Sequence, residues 1–212
     1  MKQLLLLLLF AVLISIPTFG QDKKIETNYS DPFQIDSSEY FVIPKLFDND
    51  DKETYGKSLN YYAWGSYTNI IFYNSKTNQT KKLFNQLALI SSFSIPRYYD
   101  YKPEPASSPN LLPEHIVYLA RIENFNGDKS LDSDDPVYLF LSTKTGDNLK
   151  QITPQGFHVH SWTVSKDKKM ILVKGKTDKN GNKKFGQGDD DVYYRIDLNT
   201  DISKIKCEPI SM

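Results

Sequence analysis

The sequence predicts an all-β protein, built as an antiparallel array of β-repeats. Tyr and Phe are abundant, at 14 and 12 residues, and β-branched residues fall in short runs. Asn, Asp, Gly, Lys and Pro separate those runs, which is how strands and their turns are written in sequence. Beyond the N-terminal segment no long stretch holds apolar residues at helical spacing. The one weak helix candidate is 85–94.

The elements are taken in chain order. Met1-Lys2, an apolar run from Leu4 to Ile16, and Pro17-Thr-Phe-Gly20 before Gln21 read as a signal peptide over 1–20. The run is short for a bilayer span. The expectation is an exported chain with no transmembrane span after cleavage, and a single β-repeat domain over 21–212. Strands are expected at 40–43, 59–64, 69–74, 80–84, 116–122, 137–142, 149–152, 170–174, 192–198 and 204–207.

Three sections share one form: a strand, a polar turn and a second strand. They run from Asn69 to Leu83, from Val137 to Ile152 and from Val192 to Ile205. Ile116-Val-Tyr-Leu-Ala120 and Met170-Ile-Leu-Val-Lys174 precede the second and third, and lie 54 residues apart. A period of about 50 residues made of antiparallel strands points to propeller-like blades. The units are expected at about 40–84, 115–153 and 158–210. A closed propeller needs about four blades, so three units predict an incomplete or open propeller-like array, a small β-sandwich of repeats, or part of a ring completed by oligomerisation.

Ser161-Trp-Thr-Val-Ser165-Lys-Asp167-Lys-Lys169-Met-Ile-Leu-Val173 resembles the start of a TolB-type β-propeller repeat. Such repeats carry a Ser-Pro-Asp-Gly-Lys turn before an apolar strand. Ser165, Asp167 and Lys169 match it, while Lys166 and Lys168 replace the Pro and Gly. Residues 137–154 resemble the rest of the repeat. The resemblance covers about 116–210, with a weaker echo over 59–84. It implies a periplasmic or cell-surface setting in a Gram-negative bacterium.

Two twelve-residue stretches join the repeated strands to the hairpins after them. One runs from Asn124 to Asp135, the other from Asp178 to Asp189. Both place oxygen-bearing side chains at positions 1, 3, 5 and 12, and an apolar residue, Leu131 or Phe185, at position 8. This is the oxygen set a hard divalent cation takes from a short loop, and the stretches resemble the calcium loops of EF-hands and dockerins. The expected ligands are Asn124, Asn126, Asp128, the Ser130 carbonyl, Asp132 and Asp135 in the first loop. In the second they are Asp178, Asn180, Asn182, the Lys184 carbonyl and Asp189, with Gly186 leaving room for water. Position 6 is Lys129 or Lys183 where Gly is usual, and positive φ at a non-Gly residue costs on the order of 1 kcal/mol. Position 12 is Asp rather than Glu. The expectation is structural calcium of weak affinity, roughly 10⁻⁴–10⁻³ M, tighter in the more acidic first loop.

The remaining chemistry is sparse. His158 and His160 share a strand face and could meet one ion. No nucleophile elbow, P-loop, dinucleotide fingerprint or CxxC is present. Charges balance at 26 Lys+Arg against 26 Asp+Glu, which argues against a nucleic-acid partner. Cys207 is the single cysteine and forms no internal disulfide. These features predict a non-enzymatic interaction module with a protein or glycan partner in the cell envelope. The alternatives are a metal-assisted hydrolase using His158 and His160, or an accessory propeller-like domain of a peptidase system.

Overall fold

The structure, a computed structural model, describes residues 28–46, 67–95, 111–128, 130–198 and 201–212. The expected signal peptide at 1–20, the expected strand at 59–64 and Lys129 lie outside the described residues.

The protein is all-β. Its strands are β1 (Phe33–Gln34), β2 (Tyr40–Leu46), β3 (Tyr67–Asn74), β4 (Gln79–Lys82), β5 (Leu89–Ser94), β6 (His115–Arg121), β7 (Tyr138–Thr143), β8 (Lys150–Gln151), β9 (Phe157–Val164), β10 (Met170–Thr177), β11 (Asp191–Asp197) and β12 (Cys207–Pro209). A 3₁₀ turn, Ile202–Lys204, precedes β12. All pairings are antiparallel and join strands adjacent in sequence, except that β3 also meets β5 at one position, Tyr67 opposite Ile90. The chain therefore folds as three four-stranded meanders, β1–β4, β5–β8 and β9–β12. The first two are linked through that bridge into an eight-stranded sheet, and the third is a separate four-stranded sheet. Neither sheet closes into a barrel.

The second meander is the middle layer. On β6, Ile116, Tyr118 and Ala120 face the core shared with the first meander, while Val117 faces the core shared with the third. On β7, Tyr138 and Phe140 face the first, Leu139 and Leu141 the third. A strand covered on both faces loses the apolar/polar alternation, which explains the unbroken run Val137-Tyr-Leu-Phe-Leu141. Each large side chain fully buried there contributes about 1.5–3 kcal/mol. Polar ties add register. The Lys150 ammonium donates to the carbonyls of Ile202, Ser203 and Ile205, fastening β8 to the 3₁₀ turn. Val159 N–H donates to the Val137 carbonyl at 2.9 Å, so β9 also touches the middle meander.

Two local expectations are corrected. The weak helix candidate at 85–94 is strand β5. A bulge between Ile90 and Ser92 breaks its period-2 pattern and hides the strand in the sequence. The strand expected at 204–207 begins only at Cys207. The Asp201 carboxylate accepts from Ser203 N–H at 3.0 Å and caps a helical turn there instead, with Ile202 and Ile205 buried beneath.

Candidate functional site

The two expected cation loops occupy the same corner of successive meanders, between second and third strands. The first joins β6 to β7, the second β10 to β11. Their internal hydrogen bonds repeat position by position. At position 12, the Asp135 carboxylate accepts from Phe125 N–H at 2.7 Å and Asp132 N–H at 2.9 Å. The Asp189 carboxylate accepts from Lys179 N–H at 3.0 Å and Gly186 N–H at 2.9 Å, the same positions 2 and 9. At position 3, Asn126 and Asn180 each accept from the amide two residues on, at 2.9 Å. At position 5, Asp128 and Asn182 do the same, at 2.8 Å. Position 4 is glycine in left-handed conformation, with φ +79° at Gly127 and +73° at Gly181. Short polar side chains folding back on their own backbone produce this geometry locally.

Position 1 differs. Asn124 accepts from Gly127 N–H at 2.7 Å. Asp178 accepts instead from Asn182 N–H at 3.1 Å and Lys183 N–H at 2.9 Å. Lys183, at position 6, has φ +58°, the conformation a glycine would adopt without strain. The Ser165–Met170 turn repeats this substitution, with Lys168 at φ +60° where the resembled repeat has Gly.

Two cations with no counterpart among the residues expected from sequence hold the loops from outside. Arg121 Nε donates to the Asp135 carbonyl at 3.1 Å. Lys176 Nζ donates to the carbonyls of Asp189 at 2.7 Å and Gly186 at 2.9 Å. A basic residue just before each loop was the available signal.

The loops also meet each other. The Phe125 and Phe185 rings are 5.3 Å apart, and His158 stacks on Phe185 at 5.3 Å and 19°. Lys183 Nζ reaches the Asn126 carbonyl at 3.4 Å. His158 Nδ1 accepts from Val137 N–H at 3.2 Å, which requires the neutral ring. Burial, then His160 and Arg121, push its pKa down to about 4. His160 lies edge-on to it at 5.0 Å. The two histidines thus come together as expected, with His158 part of the seam between loops. No group of three or more His, Cys, Asp or Glu is arranged to hold a metal among the described residues. Glu123, just before the first loop, accepts from the Tyr138 hydroxyl and from Gln155 Nε2, and ties the loop to the connection leading into β9.

No protein-family model matches this chain, and no curated protein or solved structure does. The functional reading therefore rests on the chemistry of the site. Its donor set is entirely oxygen: carboxylates, side-chain amides and the carbonyls of Ser130 and Lys184. A carboxylate has about four lone-pair sites, so Asp135 keeps acceptor capacity beyond its two backbone amide bonds, and Asp189 keeps less because Asn180 Nδ2 also donates to it at 3.3 Å. Such a set fits a hard divalent cation. No helix among the described residues is long and apolar enough to cross a membrane.

Proposed function

We propose that this is an exported, non-enzymatic β-repeat module of the cell envelope, whose two loops take structural calcium and whose meanders present a surface to a protein or glycan. The observation that carries the reading is the repetition of one chelate-like loop at equivalent corners of two meanders, down to the amides bound by position 12. The TolB-type resemblance of the repeats supplies the envelope setting. In the first loop Asn124, Asn126, Asp128, the Ser130 carbonyl, Asp132 and Asp135 would hold the ion. In the second Asp178, Asn180, Asn182, the Lys184 carbonyl and Asp189 would hold it. A cation that binds only the folded chain stabilises it by linkage, by about 1.4 kcal/mol per site at tenfold excess over Kd.

Calorimetry with calcium on the chain lacking 1–20 tests this. Two binding events and a melting temperature that rises with millimolar calcium are expected. No heat and no shift would remove the calcium reading. The partner is sought by capture from envelope extract with and without chelator, followed by direct binding of the purified candidate protein or glycan.

A further inference from the structure

Each loop carries an Asn-Gly pair at positions 3 and 4, Asn126-Gly127 and Asn180-Gly181. An asparagine followed by glycine is open to attack by the glycine nitrogen on its own side-chain carbonyl carbon. Glycine offers no Cβ to block the approach. Asn180 and Gly181 are both exposed, and a Cβ added at Gly181 would meet nothing within 4 Å.

We propose that Asn180 is a site of spontaneous deamidation, and that one hydrogen bond holds the matching Asn126 back. Hydroxide removes the Gly181 N–H proton and the nitrogen bonds to Asn180 Cγ. The Cγ–Nδ2 bond then breaks, and the amide leaves as ammonia. Water opens the resulting five-membered succinimide at either carbonyl, leaving aspartate or isoaspartate. Net, one water enters and one ammonia departs, with no change of oxidation state. Asn182 N–H donates to Asn180 Oδ1 at 2.9 Å, where negative charge gathers during the attack.

Asn126 has the same donor, Asp128 N–H at 2.9 Å. Both leaving amides are held by a carboxylate, Asn126 Nδ2 by Asp128 at 3.1 Å and Asn180 Nδ2 by Asp189 at 3.3 Å, and the larger difference lies at the nucleophile. Gly127 N–H is bound to Asn124 Oδ1 at 2.7 Å, so its nitrogen must break that bond to attack. In the second loop Asp178 binds the amides of Asn182 and Lys183, and no described acceptor meets the Gly181 N–H. The consequence for the loop rests on the calcium reading; the chemistry does not. Opening to aspartate would place a carboxylate at ligand position 3. Opening to isoaspartate would lengthen the backbone within the loop.

Peptide mass mapping of the intact folded chain, incubated at mildly alkaline pH with and without calcium, tests the proposal. Conversion at Asn180 is expected several-fold faster than at Asn126. Asn124→Ala, which removes the acceptor of Gly127 N–H, is expected to bring Asn126 up to the rate of Asn180. Equal rates in the unaltered chain, conversion at neither residue, or no effect of Asn124→Ala would overturn it. Protection of both residues by calcium supports the two readings together. Conversion at Asn180 that calcium does not slow keeps the deamidation and counts against calcium binding.

Discussion

The two loops make the same two backbone hydrogen bonds at position 12, yet shift the resulting carboxylates' pKa values in opposite directions. Burial raises the Asp135 pKa above the ordinary carboxylate value, and its backbone amide bonds do not offset that fully. The amide bond from Gly186 instead leads in lowering the Asp189 pKa. Both residues are covered, at 0 % and 7 % exposed. Asp189 is covered mainly by its own loop, whose amides solvate it, and it gains the field of Lys176. Asp135 sits among Asp132 and other groups of the middle meander and loses water without full replacement. Identical local geometry therefore does not produce identical chemistry. Burial disfavours the charged form of the first loop's aspartate, whereas the second loop's amides and Lys176 favour it.

The largest effect that could break this contrast comes from Asp135→Ala. It strands the amides of Phe125 and Asp132, and an unsatisfied buried donor costs about 1–3 kcal/mol. Relief of the desolvated charge offsets part of the sum, and a net loss of about 2–4 kcal/mol is expected in urea melts without calcium. Asp189→Ala should cost less, because water can replace the carboxylate in that exposed loop. Equal losses would mean that the loops are equivalent.

Next is the contact between them. Phe185→Ala removes the rings' mutual contact and the face on which His158 stacks. Aromatic pairs contribute about 0.5–1.5 kcal/mol beyond area burial, so thermal melts should show a loss of about 1–2 kcal/mol. Amide exchange should also quicken in the first loop, where no residue was changed. If exchange quickens only in the second loop, the two are independent.

Lys183→Gly sharpens the contrast from the other side. It relieves positive φ at a non-glycine residue, a gain of about 1 kcal/mol, less the entropy a glycine loses on folding. It also removes the ammonium beside the Asn126 carbonyl. A small rise in stability and tighter calcium binding are expected, read by melting and calorimetry. Weaker binding would show that Lys183 helps build the site.

The smallest effect is in titration. In the calcium-free protein, carboxyl carbon shifts should place Asp135 above the usual carboxylate range and Asp189 below it. Asp135 then contributes stability at low pH that is lost as pH rises through its raised folded value. Asp189 contributes stability above its unfolded value that is lost as pH falls through its lowered one. Coincident titrations would erase the distinction.

Much of the fold was legible because strands β6, β7 and β10 carry strong apolar runs. Less legible were strands whose period is interrupted or whose length is minimal. The bulge in β5 disguised Leu89–Ser94, and the two-residue β1 carries no pattern to read. Strand β9 did not stand out over its full length, because its middle carries the exposed pair His160-Ser161 and its pairing with β10 shifts at Lys174 and Gly175. The loop ligands were legible one by one. Arg121 and Lys176 left only the signal of a basic residue just before each loop, and their role emerges once the carbonyls they bind are in place.

The sequence by itself determined the all-β class and the path of each loop. Both depend on interactions between near neighbours: side-chain alternation, left-handed glycines, and Asn and Asp side chains bonding amides a few residues away. Only the tertiary structure decided that the loops meet, with Phe125 against Phe185 and His158 neutral between the meanders. It also decided which aspartate is desolvated. Contact and burial depend on what stacking brings from distant parts of the chain, and loop residues 57 and 60 positions apart do not encode in their own order that they will touch.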